Sequence, residues 1–436
     1  MTDHSDFTVD VYQNEYLPEG AQEVNAIITV TADFAGGAAA QTPPAKAAEV
    51  IVVDCSGSMD YPPTKMSAAK QATIAAIDTL RDGVAFGVVA GTHQARMVYP
   101  AHERLASADE HTRAEARAAV AGLSPNGGTA IGQWLRLARE LLAAHPDAIR
   151  HVILLTDGKN EHETPAHLDA AIALATGTFT CDCRGVGTAW VVAELRKVAS
   201  ALLGTVDIVA DPDGLEADFR AMTAAAMGKA VADVALRVWT PQQATVRFVK
   251  QVMPTVEDLT AKRAPVSAQI GDYPTGAWGE ESRDYHICVE VPAANVGEEM
   301  LAARVSLTAL GPDGAARPLA QGLVRAVWTE DTALSTRINP NVAHYTGQAE
   351  LAAAIQDGLE ARKAGDLDTA TAKLGRAVAL ATTSGNDAVA GLLGKVVDVL
   401  DPATGTVRLK AKVADADEMA LDTRSTKTVR VGKAAR

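Results

Sequence analysis

Val50-Ile51-Val52-Val53 is a run of four β-branched apolar residues that passes directly into Asp54-Cys55-Ser56-Gly57-Ser58-Met59. A run that is apolar at every position implies a strand covered on both faces, as in a parallel sheet packed between helices. Beyond the Pro62-Pro63 turn, Lys65 to Leu80 carries apolar residues at helical spacing (Met66, Ala69, Ile74, Ile77, Leu80). Strand, polar loop and helix make the opening of a parallel α/β unit. Ligands of open α/β sheets bind beyond the carboxyl ends of the strands. The carboxylate of Asp54 and the hydroxyls of Ser56 and Ser58 fall at that end.

Hard oxygen donors carrying little charge suit Mg2+, which keeps several waters and holds near-octahedral geometry at about 2.1 Å. One loop cannot complete such a shell, and two further strand ends offer donors. Ser124-Pro125-Asn126-Gly127-Gly128-Thr129 is a glycine-rich loop ending in a hydroxyl before an apolar helix, Ile131 to Leu142. His151-Val152-Ile153-Leu154-Leu155-Thr156-Asp157-Gly158 is a second buried strand that delivers Asp157 at its carboxyl end.

Asp-x-Ser-x-Ser, then a threonine, then Thr-Asp-Gly, in this order and spacing, resembles the metal-ion-dependent adhesion site of von Willebrand factor A domains. All five positions of that pattern are present: Asp54, Ser56, Ser58, Thr129 and Asp157. The resemblance implies Mg2+ as the cofactor, with Mn2+ or Ca2+ as substitutes. It also implies Ser56, Ser58 and Thr129 as direct ligands, with Asp54 and Asp157 orienting waters. The ion is then short of charge, and an Asp or Glu from a partner protein completes its coordination. In related domains partner binding moves the last helix of the domain, which here is Leu215–Ala226.

Periodicity and resemblance agree on the fold over residues 46–228. Strands are expected at Val50–Val53, Ala85–Ala90, Ala95–Tyr99, Val152–Leu155, Thr178–Cys183 and Thr205–Val209. Helices are expected between them, at Met66–Leu80, Glu110–Ala121, Ile131–Ala144, Pro165–Ala175, Val191–Ala201 and Leu215–Ala226. That alternation describes an α/β, doubly wound, mostly parallel sheet of Rossmann-like type, with an antiparallel edge strand where two strands lie close in sequence. Residues 229–335 change to short strands (Val234–Trp239, Thr245–Gln251, Tyr285–Val291, Ala303–Leu307, Leu323–Trp328), and Gly311-Pro312-Asp313-Gly314 marks one turn. This reads as an antiparallel β-sandwich. Two strands before the α/β segment, Phe7–Tyr12 and Glu23–Thr31 within residues 1–40, lack a partner of their own and are expected to complete that sandwich. The α/β domain is then an insertion, entered through the small-residue linker Gly36-Gly37 to Pro43-Pro44.

Residues 342–400 read as a helical hairpin or cap, Ala349–Ala364 and Leu367–Ala381 joined by Gly365-Asp366, with a third helix at Val389–Leu400. The turn Ala364–Ala370 resembles that of a tetratricopeptide unit, but one hairpin is not an array. Residues 401–436 read as a flexible basic tail, in which Thr426 and Thr428 are candidate phosphorylation sites for a kinase and a phosphothreonine-reading partner.

Net charge of -14 argues against nucleic acid as a partner, since phosphate binding needs clustered Lys and Arg. No apolar run reaches the about 20 residues of a membrane-spanning helix, and the polar start Met1–Asp6 shows no signal peptide, so a cytoplasmic location is expected. Four cysteines in 436 residues are too few for a disulfide framework, and Cys181-Asp182-Cys183 reads as two buried reduced thiols. The function expected is a metal-dependent protein-binding module, an intracellular scaffold or assembly subunit, and not an enzyme. Two alternatives stand beside it: a Mg2+-dependent hydrolase or phosphatase, and an accessory subunit of an AAA+ chelatase or chaperone-like machine. Against hydrolysis, Ser56 has no neighbouring base in sequence and no Gly-x-Ser-x-Gly elbow. His93, His102, His111, His162 and His167 lie in or beside loops and read as solvated, although His162 and His167 flank the Asp157 strand end.

Overall fold

The computed structural model describes residues 6–34, 45–311 and 315–431. The linker from Gly36 to Pro44 and residues 312–314 of the expected turn lie outside the described residues. The chain forms two units, one of Met1–Thr42 with Asp233–Arg436 and one of Pro43–Ala232. The second is therefore an insertion in the first.

Three strands precede the insertion: β1 (Phe7–Gln13), β2 (Tyr16–Leu17) and β3 (Glu23–Ala32). The inserted unit follows with β4 (Ala47–Asp54), α1 (Thr64–Thr79), β5 (Ala85–Gly91), β6 (Ala95–Tyr99), β7 (Ala106–Ser107) and α2 (Glu110–Ala121). It continues through α3 (Ile131–Ala143), β8 (Ile149–Thr156), α4 (Pro165–Ala175), β9 (Thr180–Val186), α5 (Val192–Ala201), β10 (Val206–Val209) and α6 (Leu215–Met227). Every residue of β4 is buried, as its unbroken apolar run requires.

The inserted sheet runs β10-β9-β8-β4-β5-β6, with β7 also paired to β5. Its pairs are parallel except β5 with β6 and with β7. Ile51 and Val53 share a core with Phe86, Val88, Ile153 and Leu155 and with side chains of α1, α2 and α6. Trp134 of α3, fully buried, lies against Gly91, where a Cβ would stand 2.5 Å from its ring. β4 is central, between β8 and β5, so the strand order reverses beside it. The crevice expected at such a switch point opens where Asp54 emerges.

A buried charge cluster crosses the same sheet nearer the amino ends of its strands. His151 Nδ1 lies 2.9 and 3.0 Å from the two Glu49 oxygens, and Nε2 lies 3.1 Å from Asp182 Oδ2. Burial opposes charge on His151, but the Glu49 carboxylate and Asp182 outweigh it and raise the imidazole to about 10. Asp182 is itself held well below the ordinary carboxylate range: burial opposes this, and the hydrogen bond and charge of His151 prevail.

The chain returns to the first unit within β11 (Lys229–Trp239), and β12 (Thr245–Met253), β13 (Glu257–Asp258), β14 (Ala264–Pro265), β15 (Ile270–Gly279), β16 (Glu281–Glu290), β17 (Glu299–Leu310) and β18 (Ala316–Trp328) follow in order. They build a five-stranded sheet, β1-β3-β16-β12-β13, and a six-stranded one, β14-β15-β11-β17-β18-β2. The strands before the insertion are divided between the two sheets. β3 pairs antiparallel with β16 from Glu23↔Glu290 to Ala32↔Glu281, and β2 pairs parallel with the end of β18. The sheets touch closely at Gly322 of β18, where a Cβ would meet Val11 of β1 at 2.5 Å.

The helices α7 (Thr332–Ser335), α8 (Pro340–Lys363), α9 (Leu367–Ser384) and α10 (Asp387–Val396) follow, then the hairpin β19 (Val397–Asp401) and β20 (Thr406–Leu409), and α11 (Asp415–Arg424). Val342 and Tyr345 of α8 pack with Ile27 of β3 and Val252 of β12, so the helices cover one sheet. The third helix ends at Val396, four residues earlier than the sequence suggested, because Val397–Asp401 is drawn into pairing with Thr406–Leu409.

The flexible tail expected over 401–436 is corrected through residue 431. Leu421 of α11 is fully buried in the helical core, in one cluster with Ile355, Leu374, Leu393 and Val396. Beyond α11 the chain lies along the five-stranded sheet: Val256 N–H donates to Thr426 O at 2.8 Å, and Thr428 N–H to Pro254 O at 3.1 Å. The Thr428 hydroxyl donates to Val252 O at 2.7 Å, and Arg430 to Ser282 O at 2.9 Å. A kinase acting on Thr428 has to lift this segment off first.

Candidate metal centre

Three loops converge beyond the carboxyl ends of β4 and β8 and before α3, and backbone hydrogen bonds lace them together. Cys55 N–H donates to Gly91 O at 2.7 Å, Asn126 N–H to Cys55 O at 2.6 Å and Gly57 N–H to Gly127 O at 2.8 Å. Gly127 holds a φ of +95°, in the left-handed region, and a Cβ there would stand 2.7 Å from His93. Only glycine meets both demands.

The lacing brings together all five residues expected from the sequence. The ideal Cβ position at Gly158 lies 3.1 Å from Thr129 Oγ1, 3.2 Å from Ser58 Oγ and 3.9 Å from Ser56 Oγ, so three hydroxyls surround one small space that glycine leaves open. The carboxylates stand behind them. Asp54 accepts from Ser56 N–H at 2.7 Å through one oxygen and from the Thr156 hydroxyl at 2.6 Å through the other. Asp157 accepts from Ser58 Oγ at 2.6 Å, and Ser58 Oγ lies 2.9 Å from Ser56 Oγ. Asp54 and Asp157 are completely buried, Ser56 and Thr129 nearly so, and Ser58 is exposed at the mouth. Burial pushes the Asp54 carboxyl up to about 6, against the hydrogen bonds from Ser56 and Thr156.

This donor set fits a hard dication. Its forward atoms are neutral hydroxyl oxygens, and a hydroxyl that donates its proton to Asp157 keeps its lone pairs for a ligand. The carboxylates supply charge from behind. Among the described residues there is no group of three or more His, Cys, Asp or Glu side chains placed to hold a metal, so the candidate site rests on its hydroxyls.

Thr156, the first residue of the Thr-Asp-Gly element, orients Asp54. Other partners in the site escape a motif reading. Lys65 Nζ lies 2.6 Å from Asp157 Oδ2. The loop after β8 caps α3: Asn160 Oδ1 accepts from Ile131 N–H at 2.8 Å and Glu163 Oε1 from Gly132 N–H at 2.6 Å. His162 is exposed, as expected of a loop histidine, yet it is also part of the site, because its Nδ1 accepts from Thr129 N–H at 3.2 Å. His93 stands beside Gly127, whereas His111 pairs with Glu115 on α2. The signal for the capping contacts was an α3 without a capping residue of its own: Ala130 precedes Ile131.

Comparison with known proteins places the fold in a family. The von Willebrand factor type A domain profile matches residues 48–208, and the von Willebrand factor type A C-terminal domain profile matches residues 379–425. The structure of a von Willebrand factor type A protein from Catenulispora acidiphila is 57% identical, covers 98% of both chains and superposes with a TM-score of 0.93. The ArnB paralog VWA2 from Sulfolobus acidocaldarius, 12% identical over 97% of this chain and 98% of its own, shares the fold with a TM-score of 0.59. An uncharacterised protein of Synechocystis sp. is 29% identical over 237 residues, 52% of this chain and 53% of the relative, so the chain spans about half the length of that curated relative. With a near full-length relative of this identity and both profiles in register, the chain belongs to the von Willebrand factor type A family.

Proposed function

We propose that the protein is a metal-dependent protein-binding module, in which Ser56, Ser58 and Thr129 hold Mg2+ (or Mn2+ or Ca2+) and an Asp or Glu of a partner protein completes the site. The observation that carries this reading is the convergence of three hydroxyls on the space at Gly158, with both carboxylates tied back behind them. A dication held there supplies an under-neutralised Lewis acid for an external carboxylate. Asp54 fixes the loop through Ser56 N–H, and Asp157 turns the Ser58 proton away from the opening.

The reading is of a binding protein and not an enzyme. Ser56 Oγ meets another hydroxyl at 2.9 Å and not a base that could take its proton. The four cysteines are free and buried, which agrees with a reducing compartment and a scaffold or assembly subunit in the cytoplasm. Among the described residues no helix is long and apolar enough to cross a membrane.

The test is a pull-down from source-cell lysate with tagged wild-type protein and with Asp54→Ala, each in Mg2+ and in EDTA. A partner retained only by wild type in Mg2+ is the expected result. A partner indifferent to both chelation and the substitution moves the binding surface away from this site.

A further inference from the structure

Lys65 is the second residue of α1, in a first turn that has no side-chain cap and where the helix dipole is positive. A cation at that end is electrostatically unfavourable unless something compensates it. The compensation is Asp157: Lys65 Nζ sits 2.6 Å from its Oδ2, with the carboxylate fully buried and the lysine side chain 15% exposed. The ammonium also reaches the Ser58 carbonyl at 3.4 Å. Lys65 therefore touches both a carboxylate and a backbone group of the metal loops, yet it belongs to neither motif.

This pair changes the charge of the centre. Counted formally, Asp54 and Asp157 offset the two charges of a dication, although both stand behind the neutral hydroxyls that would touch it. Counting Asp54, Asp157, Lys65 and the ion, the sum is one positive charge, the complement of one carboxylate. Glu163, on the neighbouring loop, keeps its charge but is tied to Gly132 N–H and the Asn160 amide and not to the three hydroxyls. Resting on the metal-dependent reading above, we propose that Lys65 couples the two ligands of the site. It weakens the hold on the dication and strengthens the hold on the carboxylate, so that at a given carboxylate concentration metal retention leans more on the bound carboxylate. The two bindings then reinforce one another by the same factor in either direction.

The experiment measures Mn2+ affinity by calorimetry for the full chain, with and without acetate, in wild type, Lys65→Arg and Lys65→Gln. Wild type and Lys65→Arg are expected to bind Mn2+ more tightly when acetate is present. Lys65→Gln is expected to bind Mn2+ alone about tenfold or more tightly than wild type, since removal of one nearby like charge is worth at least about one decade, and to lose most of the acetate effect. Because Lys65→Gln leaves Asp157 buried without its counter-charge, melting temperatures are also read in Mn2+ and in EDTA. A larger Mn2+ increment in Lys65→Gln than in wild type supports the proposal. Wild type that binds Mn2+ while Lys65→Gln shows equal or weaker affinity and no larger melting increment overturns the role of Lys65 alone. Wild type that binds no Mn2+ overturns the metal reading and this inference with it.

Discussion

Gly158 has no side chain, and the three hydroxyls meet in the space this leaves. In Gly158→Ala the added methyl sits 3.1–3.2 Å from Thr129 Oγ1 and Ser58 Oγ, close enough to spread them but far from any backbone clash. The expected outcome is a fold and melting temperature near wild type with Mn2+ affinity reduced more than about tenfold, measured by calorimetry. Unchanged affinity would place the ion elsewhere. The five candidate site residues were legible in the sequence because the Asp-x-Ser-x-Ser pattern is local and the threonine and second aspartate each sit at a readable strand or helix end. Lys65 was not, because its partner lies 92 residues away and is found only when α1 and β8 are placed in space. Asn160, Glu163 and His162 share that difficulty, since each acts through a backbone group of another loop.

At the scale of elements, β4, β8 and β9 are joined by more than backbone pairing, since Glu49, His151 and Asp182 form one buried chain of charges. His151 is raised to about 10 in the folded protein from an ordinary value of 6.5. A raised folded value means its stabilising contribution is fully present below pH 6.5 and fades as pH rises toward 10. His151→Gln should therefore cost about 3 kcal/mol at neutral pH, by leaving the Glu49 carboxylate buried and uncompensated. The gap between its melting temperature and that of wild type should narrow steadily between pH 6.5 and 10. A gap independent of pH would mean that His151 folds neutral. The strands and helices of the inserted unit were readable because unbroken apolar runs and helical spacing differ sharply. β15 was not, because Pro274, Gly271, Gly276 and Gly279 carry the turn signals of a loop, and Gly276 does take a positive φ of 75° within the strand. The last residues of the expected third helix failed for another reason: Val397 and Val399 are β-branched and find a hairpin partner downstream.

For the whole molecule, the chain beyond Leu409 is a structural member. Deleting residues 415–436 removes Leu421 from the helical core and the hydrogen bonds of Thr426, Thr428 and Arg430 on the five-stranded sheet. The expected cost is about 3–5 kcal/mol, from one buried leucine and several lost hydrogen bonds, read as a lower melting temperature of the truncated chain. A truncation that melts with wild type would return this segment to the status of a loose tail. The pairing of β3 with β16 has a consequence for synthesis. A ribosome releases Ile27, Ile28 and Val30, all fully buried in the finished protein, long before their partners at Glu281–Glu290 exist. At about 5–20 residues per second, the wait is roughly 12–50 s. The inserted unit is complete before that interval ends, so it is free to fold on the way out while the first hairpin stays an unpaired apolar edge. The nascent chain thus carries an apolar edge without its β16 partner through that interval, and a holding chaperone has its natural target there.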